Sequence, residues 1–465
     1  MSSPELAVSG GAGGIEAELA DLRTLARSSA DLAELLASTG VSCHGVLVDP
    51  DVLASALLDP VGTARFQAAL LEALDGPRGL TVLALTFTAR AVTLEAAAAA
   101  YEAADAALAE LADGLHWAAG YLAPVTVPAL LLGLLGAAAH DPVGATLEVA
   151  TFLDDPERWL TEHPGLVDAA ANAAPGLAGL VGTLVPGLPW LGGSDVRAAA
   201  ARLGRLWPDG SPVVTTLPDD TDLDVVAPPR GIADLMRGLD ARNGKGATAG
   251  EDQIGVRVLT RADGTRAYIV DIPGTQDWTM PGGGVNPATN DLGTNVRVLG
   301  GDVTTRQAAI AEALRRAGAS STDPVMLVGH SQGGMVAAQA AHDAGTADFD
   351  FNVTNVVTAG SPVARAGIPD SVQVLALENA TDVVPHLDGR DNDDDANVTT
   401  VTFDLQNGDV GRNHSIRDAY RIGAQAVDQS EDPSIAAYRA SADAFLVRPG
   451  EEVTVVAHVY AIGRK

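Results

Sequence analysis

One serine stands in a context that favours a catalytic nucleophile. Ser331 lies between Gly329 and Gly333, after the apolar run 325–328 and before an Ala-rich segment with helical periodicity. The bare Gly-x-Ser-x-Gly pattern is a weak signal in a chain with 50 glycines, but a strand before it and a helix after it give the pattern chemical meaning. In that setting the serine is strained and exposed, and the glycines relieve crowding around it. A strand-to-helix turn that merely contains a serine is the structural alternative.

An acid and a base follow Ser331 at the ends of later apolar runs. Asp382 comes after the run 372–377, and His414 comes after the run 398–403 and before a helical segment. The carboxyl ends of parallel strands share one edge of a sheet, where the sites of α/β proteins assemble. We therefore expect His414 to accept the serine proton, and Asp382 to fix the imidazole tautomer and stabilise its cation.

Other polar side chains compete for these two roles. His386 and His342 are rival bases, but neither follows a late strand of its own. Asp388 and Asp404 are rival acids. His330, next to the serine, is expected to pack at the turn. The order of serine, acid and base along the chain favours the assignment above.

Backbone amides near Ser331 are expected to stabilise a negatively charged tetrahedral intermediate. The amide of Gln332 follows the nucleophile at a helix N-terminus, where free N–H groups and the helix dipole favour an anion. A second donor must come from an earlier loop. Thr275 offers both an amide and a hydroxyl in the turn after the run 266–272. A routine turn made flexible by Gly274 is the alternative.

Four segments in order resemble the class 3 lipases of the α/β-hydrolase superfamily. They are the Pro-Gly-Thr turn 273–275 with Asp277-Trp278, the Gly-His-Ser-Gln-Gly-Gly elbow 329–334, the Ala-Gly-Ser-Pro segment 359–362 and the acid loop 379–385, followed by His414 and Tyr420. Pro273 and Gln332 depart from the family pattern. The resemblance covers residues 250–420. It implies hydrolysis of carboxylic esters, often of acylglycerols or phospholipids, without a metal or organic cofactor.

The elements that would carry these residues are those of a mostly parallel sheet. From residue 226 to 465, short β-rich runs alternate with amphipathic helical segments, which indicates a sheet covered by helices. The Asp263-Gly264 pair predicts a hairpin between the first two strands. The expected fold class is α/β, an α/β-hydrolase sheet flanked by helices and preceded by an all-helical domain. Strands are expected at 254–260, 266–272, 325–328, 353–358, 372–377 and 398–403, and helices at 304–317, 333–344 and 415–427.

The first half of the chain has a different composition. A chain of 465 residues is too long for one ordinary core, so two or three domains are expected. Ala and Leu dominate residues 15–205, with acidic residues at helical spacing, which predicts helices. The segment 208–229 is rich in Asp, Thr and Pro and resembles a connection. We therefore expect a helical domain at 1–225 and a catalytic domain at 226–465.

Two charge-free stretches of the first half, 117–139 and 169–194, are long enough to cross the hydrocarbon core of a bilayer. They predict either membrane association or a pair of buried helices that pack through small residues. Prolines and glycines interrupt both stretches, and a flanking cluster of Lys or Arg is missing. This pattern favours the buried helices.

Charge and cysteine content limit the partners. The formal net charge is −31, from 60 acidic and 29 basic side chains, so a phosphate backbone is repelled at long range. We expect an ester or lipid substrate and no nucleic acid, and the oligomeric state stays open. The lone Cys43 excludes an intramolecular disulfide and a thiolate metal cluster.

Two loops near the expected site have a biased composition. The Gly-rich segment 280–295 is either a mobile lid or a passive surface loop. Carboxylates concentrate at 388–395, and calcium prefers such oxygen ligands, but the segment lacks a complete calcium-loop spacing. We expect a solvated acidic face there, and no metal site is predicted.

The location of the protein is open to more than one interpretation. The N-terminus lacks the basic and apolar regions of an ordinary cleavable signal peptide. The helices of the first half and the Tyr101-x-x-x-Asp105 pattern resemble substrates of the type VII secretion systems of actinobacteria and related organisms. That resemblance implies an exported hydrolase. The alternative function is that of a type VII-exported effector or a membrane-active protein whose helical half carries the main function. The competing hypothesis is a cytoplasmic or membrane-associated esterase whose helical half covers the acyl-binding entrance. Acyl transfer and peptide hydrolysis use the same residues and also stay open.

Overall fold

The structure is a computed structural model that describes residues 4–76, 78–99, 195–243, 252–279 and 284–465, together with positions 171, 174 and 281. The chain divides into two compact units. One is Ile15–Leu111, and the other combines Met1–Gly14 with Ala112–Lys465. We describe each unit on its own.

The smaller unit is helical, as its Ala-rich composition predicts. Its helices are α1 (Ile15–Val46), α2 (Pro50–Ser55), α3 (Pro60–Asp75) and α4 (80–99). Asp49 and Asp59 cap α2 and α3 by accepting backbone N–H bonds, and a proline occupies the first position of each helix. Both signals start helices for the same reason, because the first N–H groups of a helix have no intrahelical partner.

The smaller unit also holds an apolar helical stretch. Within the described residues, Pro60–Ala99 has the length and mean hydropathy of a membrane span. Length and composition alone do not distinguish such a span from other apolar helices. The stretches 117–139 and 169–194 lie outside the described residues, apart from the two single positions, and so does the segment 101–105. Their membrane and secretion interpretations stay predictions.

A nine-stranded mixed sheet forms the larger unit. The strands are β1 (Leu6–Gly10), β2 (Pro212–Thr216), β3 (Asp252–Arg261), β4 (Arg266–Ile272), β5 (Pro324–His330), β6 (Asn352–Ala359), β7 (Gln373–Asn379), β8 (Val398–Phe403) and β9 (Val453–Arg464). Their order across the sheet is β1-β8-β7-β6-β5-β4-β3-β9-β2. Neighbours from β4 to β8 are parallel, whereas the outer pairs are antiparallel. The parallel centre places the loops after β4, β5, β6, β7 and β8 at one edge.

Helices cover both faces of this sheet. They are α5 (Val196–Leu203), α6 (Leu223–Val226), α7 (Ile232–Arg242), α8 (Leu292–Leu299), α9 (Thr305–Arg316), α10 (Gln332–His342), α11 (Val410–Asn413), α12 (Arg421–Gln429) and α13 (Pro433–Ser441). The predicted fold class, an α/β sheet with flanking helices after a helical N-terminal region, is confirmed. The six predicted strands and three predicted helices are all present.

The alternation of side chains along β5 explains how one strand serves two cores. Val325 and Leu327 belong to the core that packs against α9 and α10, whereas Met326 and Val328 belong to the core of α7 and α12. Successive side chains of a strand point to opposite faces, so a strand covered on both sides reads as a continuous apolar run. Each such side chain stabilises the fold by about 1.5–3 kcal/mol through burial.

Three strands escape the sequence prediction. β1 and β2 are edge strands without a continuous apolar run, and β2 leaves most of its side chains exposed. β9 pairs with both β3 and β2 in antiparallel register. Because β1 and β2 precede residue 225, the sheet extends into the region that the sequence assigns to a helical domain. The compact helical unit is Ile15–Leu111, which differs from the predicted division at residue 225.

Candidate active site

Ser331 occupies a sharp turn between β5 and α10. Its backbone has φ 54° and ψ −124°, and it is the non-glycine residue with positive φ among those that the structure describes. A side chain on Gly329 would lie 2.3 Å from the carbonyl oxygen of Gly333, and one on Gly333 would lie 2.0 Å from that of Ile272. The turn therefore requires both predicted elbow glycines. A conformation of this kind costs about 1–3 kcal/mol and is held by the structure around it.

Asp382 and His414 meet at the same edge of the sheet. Asp382 follows β7, His414 follows α11, and His414 Nδ1 lies 2.6 Å from Asp382 Oδ2. Asp382 is completely buried, and Oδ1 accepts the amide of Val384 at 3.0 Å. Burial alone would raise the pKa of Asp382, but the positive charge of His414 and the hydrogen bonds to the carboxylate together hold that pKa below its usual range.

Tyr420 is a third partner of Asp382 that sequence reasoning noted only as part of the family resemblance. Its hydroxyl donates to Asp382 Oδ2 at 2.6 Å from the end of a π-helical turn, Ile416–Tyr420. Such turns widen a helix and are frequent at functional sites. Burial raises the pKa of Tyr420 well above its usual value, so the phenol stays neutral and donates. A side chain on Gly360, which has φ 60°, would lie 2.8 Å from both oxygens of this contact.

His330 packs against His414, as the sequence predicts. The two ring centroids are 4.5 Å apart, and His330 Nε2 lies 2.8 Å from the carbonyl oxygen of His414. Burial, together with the neighbouring His414, lowers the pKa of His330 to about 3. The ring is therefore neutral and donates from Nε2. His330 supports the position of His414 from behind the serine turn.

The two expected oxyanion donors flank Ser331. Gln332 is the first residue of α10, where the backbone N–H has no partner within the helix. Thr275 follows Gly274, and a side chain on Gly274 would lie 2.9 Å from Ser331 Cβ, so this turn touches the serine directly. The Thr275 hydroxyl exchanges hydrogen bonds with the Asn295 amide at 2.9 and 3.1 Å. Its backbone amide is thus the better candidate donor.

A mostly apolar cleft of about 410 Å³ joins these groups. Ser331, His414, Gln332 and Thr275 all line it. Hydrogen bonding between Ser331 Oγ and His414 Nε2 is absent among the described contacts, and catalytic bonds of this kind often form only in the substrate complex. The apolar lining comes from Trp278, Leu292, Val296, Leu299, Met335 and Leu387.

None of the four rival candidates, all of them described residues, lines this cleft. His342 Nδ1 lies 2.6 Å from the carbonyl oxygen of Gly367, and neither His342 nor His386 lines the cleft. Asp404 is exposed on its loop. Of the proposed lid, the described residues 284–291 are irregular, and 292–295 begin α8, which forms part of the cleft wall.

A profile of the PGAP1-like alpha/beta domain family matches residues 289–443. The matched region contains β5 to β8 and the residues Ser331, Asp382 and His414. The match and the mostly parallel sheet support an α/β-hydrolase fold for this part of the chain. Comparisons with curated proteins and with solved structures gave no significant match. The class 3 lipase resemblance stays a prediction, and so do the catalytic assignments within the hydrolase domain.

The larger unit also holds a fully buried carboxyl group, Asp388, and a half-buried one, Glu378, that the sequence did not single out as buried. Asp388 is fully buried, and its Oδ2 accepts the amide of Ala364 at 2.9 Å. Glu378, at the end of β7, accepts from the Asn392 side chain at 2.8 Å. Burial raises the pKa of Glu378 to about 8 and that of Asp388 to about 7. The described residues contain no group of three or more potential metal-binding side chains, the acidic run 388–395 included.

Proposed function

We propose that this protein is a serine hydrolase that cleaves carboxylic esters with an apolar acyl chain, lipid esters among them. The observation that carries the proposal is the 2.6 Å contact between His414 Nδ1 and Asp382, at a cleft that Ser331 also lines. A buried carboxylate on Nδ1 leaves Nε2 as the ring nitrogen that accepts a proton. The strained backbone of Ser331 presents its hydroxyl to the same cleft.

The reaction follows from this arrangement in two halves. Ser331 Oγ attacks the ester carbonyl carbon while His414 Nε2 takes the hydroxyl proton. The carbonyl oxygen becomes an anion, which the amides of Gln332 and Thr275 stabilise. The C–O bond to the alcohol then breaks, the alcohol leaves with the proton from His414, and the acyl group remains on Ser331. Water then loses a proton to His414 and attacks the acyl carbon. The bond between the acyl carbon and Ser331 Oγ breaks, the carboxylic acid is released, and His414 returns the proton to Ser331 Oγ.

The lining of the cleft supports an apolar acyl group. A volume of about 410 Å³ lies within the usual range of small-molecule sites. Trp278 is 67% exposed at this cleft, and large exposed aromatic side chains commonly bind ligands. Burying an acyl chain here gains about 0.8 kcal/mol for each CH₂ group. We therefore expect longer p-nitrophenyl esters to have a lower KM than the acetate.

The test is hydrolysis of p-nitrophenyl esters of short and long chains by the whole protein. Ser331→Ala should lower kcat by a factor on the order of 10⁶. Ser320→Ala, an exposed serine outside the cleft, is the matched control and should keep full activity. Labelling of Ser331 by a fluorophosphonate should disappear in the Ser331→Ala variant alone. Absence of ester turnover and of labelling in the unmodified protein would overturn the proposal.

A further inference from the structure

A buried arginine connects the two elements that carry the proposed oxyanion donors. Arg306, near the start of α9, is fully buried and does not line the cleft. Its Nη2 donates to the carbonyl oxygen of Pro273 at 2.9 Å, and its Nη1 donates to the side-chain oxygen of Gln332. Pro273 immediately precedes the turn that contains Thr275. One guanidinium thus holds both sides of the site.

The Gln332 side chain is fixed at its other end as well. It is 1% exposed, and its Nε2 donates to the carbonyl oxygen of Asp291 at 2.6 Å. Asp291 caps α8, which forms the wall of the cleft beyond Thr275. An apolar side chain at position 332 would make neither contact. The polar side chain of Gln332 therefore has structural partners in Arg306 and Asp291.

A charge pair accounts for part of the burial of Arg306. Nη2 lies 3.2 Å from Asp252 Oδ1, and both side chains are completely buried. Asp252 also accepts the hydroxyl of Thr289 at 2.6 Å. A buried pair of this kind is expensive to desolvate and adds little net stability. Asp252 alone does not explain why the guanidinium also contacts Pro273 and Gln332.

We propose that Arg306 is a positioning residue for the oxyanion donors. By binding Pro273 and Gln332 at once, its rigid planar fork sets the distance between the amide of Thr275 and the amide of Gln332. Donors must lie within about 0.5 Å of the productive geometry, and a misplacement of about 1 Å can cost roughly 100-fold in rate. A point-like ammonium group cannot make both contacts with the same geometry. The inference rests on the proposed serine hydrolase function.

The test compares Arg306→Lys with Arg257→Lys in the full chain. Arg257 forms another fully buried ion pair, with Asp271, and its hydrogen bond to Asp271 does not involve Pro273 or Gln332. Both variants keep the buried positive charge. Both lose the hydrogen bonds of the planar guanidinium, so the free energy of unfolding should fall in each. Arg306→Lys should lower kcat for a p-nitrophenyl ester about 10- to 100-fold with little change in KM, whereas Arg257→Lys should keep kcat. Urea unfolding and circular dichroism measure the folded fraction of each.

Two further variants separate positioning from simple charge neutralisation. Asp252→Asn removes the charge partner of Arg306 and leaves the contacts of Arg306 with Pro273 and Gln332. This variant should be less stable, but its kcat should stay within about threefold of that of the unmodified protein. If Arg306→Lys does not fold, Arg306→Met with Asp252→Asn removes the pair together, and it should show the same loss of kcat. A folded variant that lacks Arg306 and keeps full kcat would overturn the inference. Failure of the proposed function itself would instead appear in the unmodified protein, as absence of ester turnover.

Discussion

The two walls of the cleft are built in different ways. On the acid–base wall, which we define by His414 and the two buried side chains behind it, Asp382 and Tyr420, the imidazole and the phenol both hydrogen-bond to the Asp382 carboxylate. On the oxyanion wall, which we define by Thr275 and Gln332, the proposed acting groups are backbone amides. The first wall is a chain of side-chain contacts, whereas the second depends on how two loops are held.

This difference determines what supports each wall. Hydrogen bonds to a carboxylate are strong, and each group of the acid–base wall fixes its neighbour. The position of a backbone amide is set by the conformation of its loop, and not by the side chain of its own residue. The oxyanion wall is therefore held by neighbouring polar side chains: Asn295, which also lines the cleft, contacts Thr275, and the buried Arg306 contacts Pro273. A substitution in the acid–base wall should remove a group that takes part in proton transfer. A substitution behind the oxyanion wall should instead displace the two amides.

Of the two walls, the acid–base wall carries the larger expected effect. Asp382→Asn should lower kcat by about 10⁴-fold, because an amide cannot hold His414 in the required tautomer or stabilise its cation. Tyr420→Phe removes one hydrogen bond and leaves the carboxylate, so it should cost only about 10-fold. Ester hydrolysis at matched folded fraction measures both. Loss of less than 10-fold in Asp382→Asn would mean that another acid, such as Asp388, serves His414.

The acid–base wall was largely predictable from the sequence. Ser331, Asp382 and His414 each stand at the end of an apolar run, and the parallel order of the sheet brings those ends together. The hydroxyl of Tyr420 was not predictable as a partner of Asp382, because its direction depends on a π-helical turn without a sequence signal. Local periodicity predicts elements, but it does not predict how a helix is wound.

The oxyanion wall and the sheet edges were less predictable for a related reason. Arg306 lies within an amphipathic helical segment, where an arginine is ordinarily a solvent-exposed residue, and its partners Pro273 and Gln332 are far away in the sequence. The edge strands β1 and β2 pair on one side only and lack a continuous apolar run. The burial of Arg306 and the pairing of the edge strands both depend on contacts between segments that are distant in the sequence. Such contacts leave no local periodicity from which they could be predicted.

A smaller effect is expected from crowding the oxyanion wall. Gly274→Ala should lower kcat by about 10²- to 10³-fold, because its Cβ would lie 2.9 Å from Ser331 Cβ and push the turn away from the serine. The Gly274 backbone lies outside the left-handed region, so an alanine meets a lack of space and not a forbidden conformation. Gly284→Ala is the matched control, since nothing lies within 4 Å of the added atom. Equal kcat in both variants would show that the turn 273–275 does not form the oxyanion site.

The smallest effect concerns stability behind the acid–base wall. Burial raises the pKa of Glu378 from its ordinary value of 4.5 to about 8, and the negative charges of Asp388 and Asp391 act in the same direction. Between these values the folded protein keeps the proton and the unfolded chain releases it. Stability must therefore fall as pH rises from about 4.5 to about 8. Glu378→Gln removes this titration while keeping an oxygen that accepts from Asn392.

The free energy of unfolding of the two proteins should consequently diverge with pH. Near pH 4.5 they should be similar, and near pH 8.5 Glu378→Gln should be more stable by about 1–3 kcal/mol. Urea unfolding at several pH values measures the difference, and Glu431→Gln, an exposed carboxyl, is the control that should show no such trend. A difference between the protein and Glu378→Gln that stays constant with pH would mean that Glu378 is ionised in the folded state. The Asp382 carboxylate would then lie near a second negative charge, that of Glu378. Its hydrogen bonds with Tyr420 and His414 would have to offset a repulsion that is absent when Glu378 is neutral.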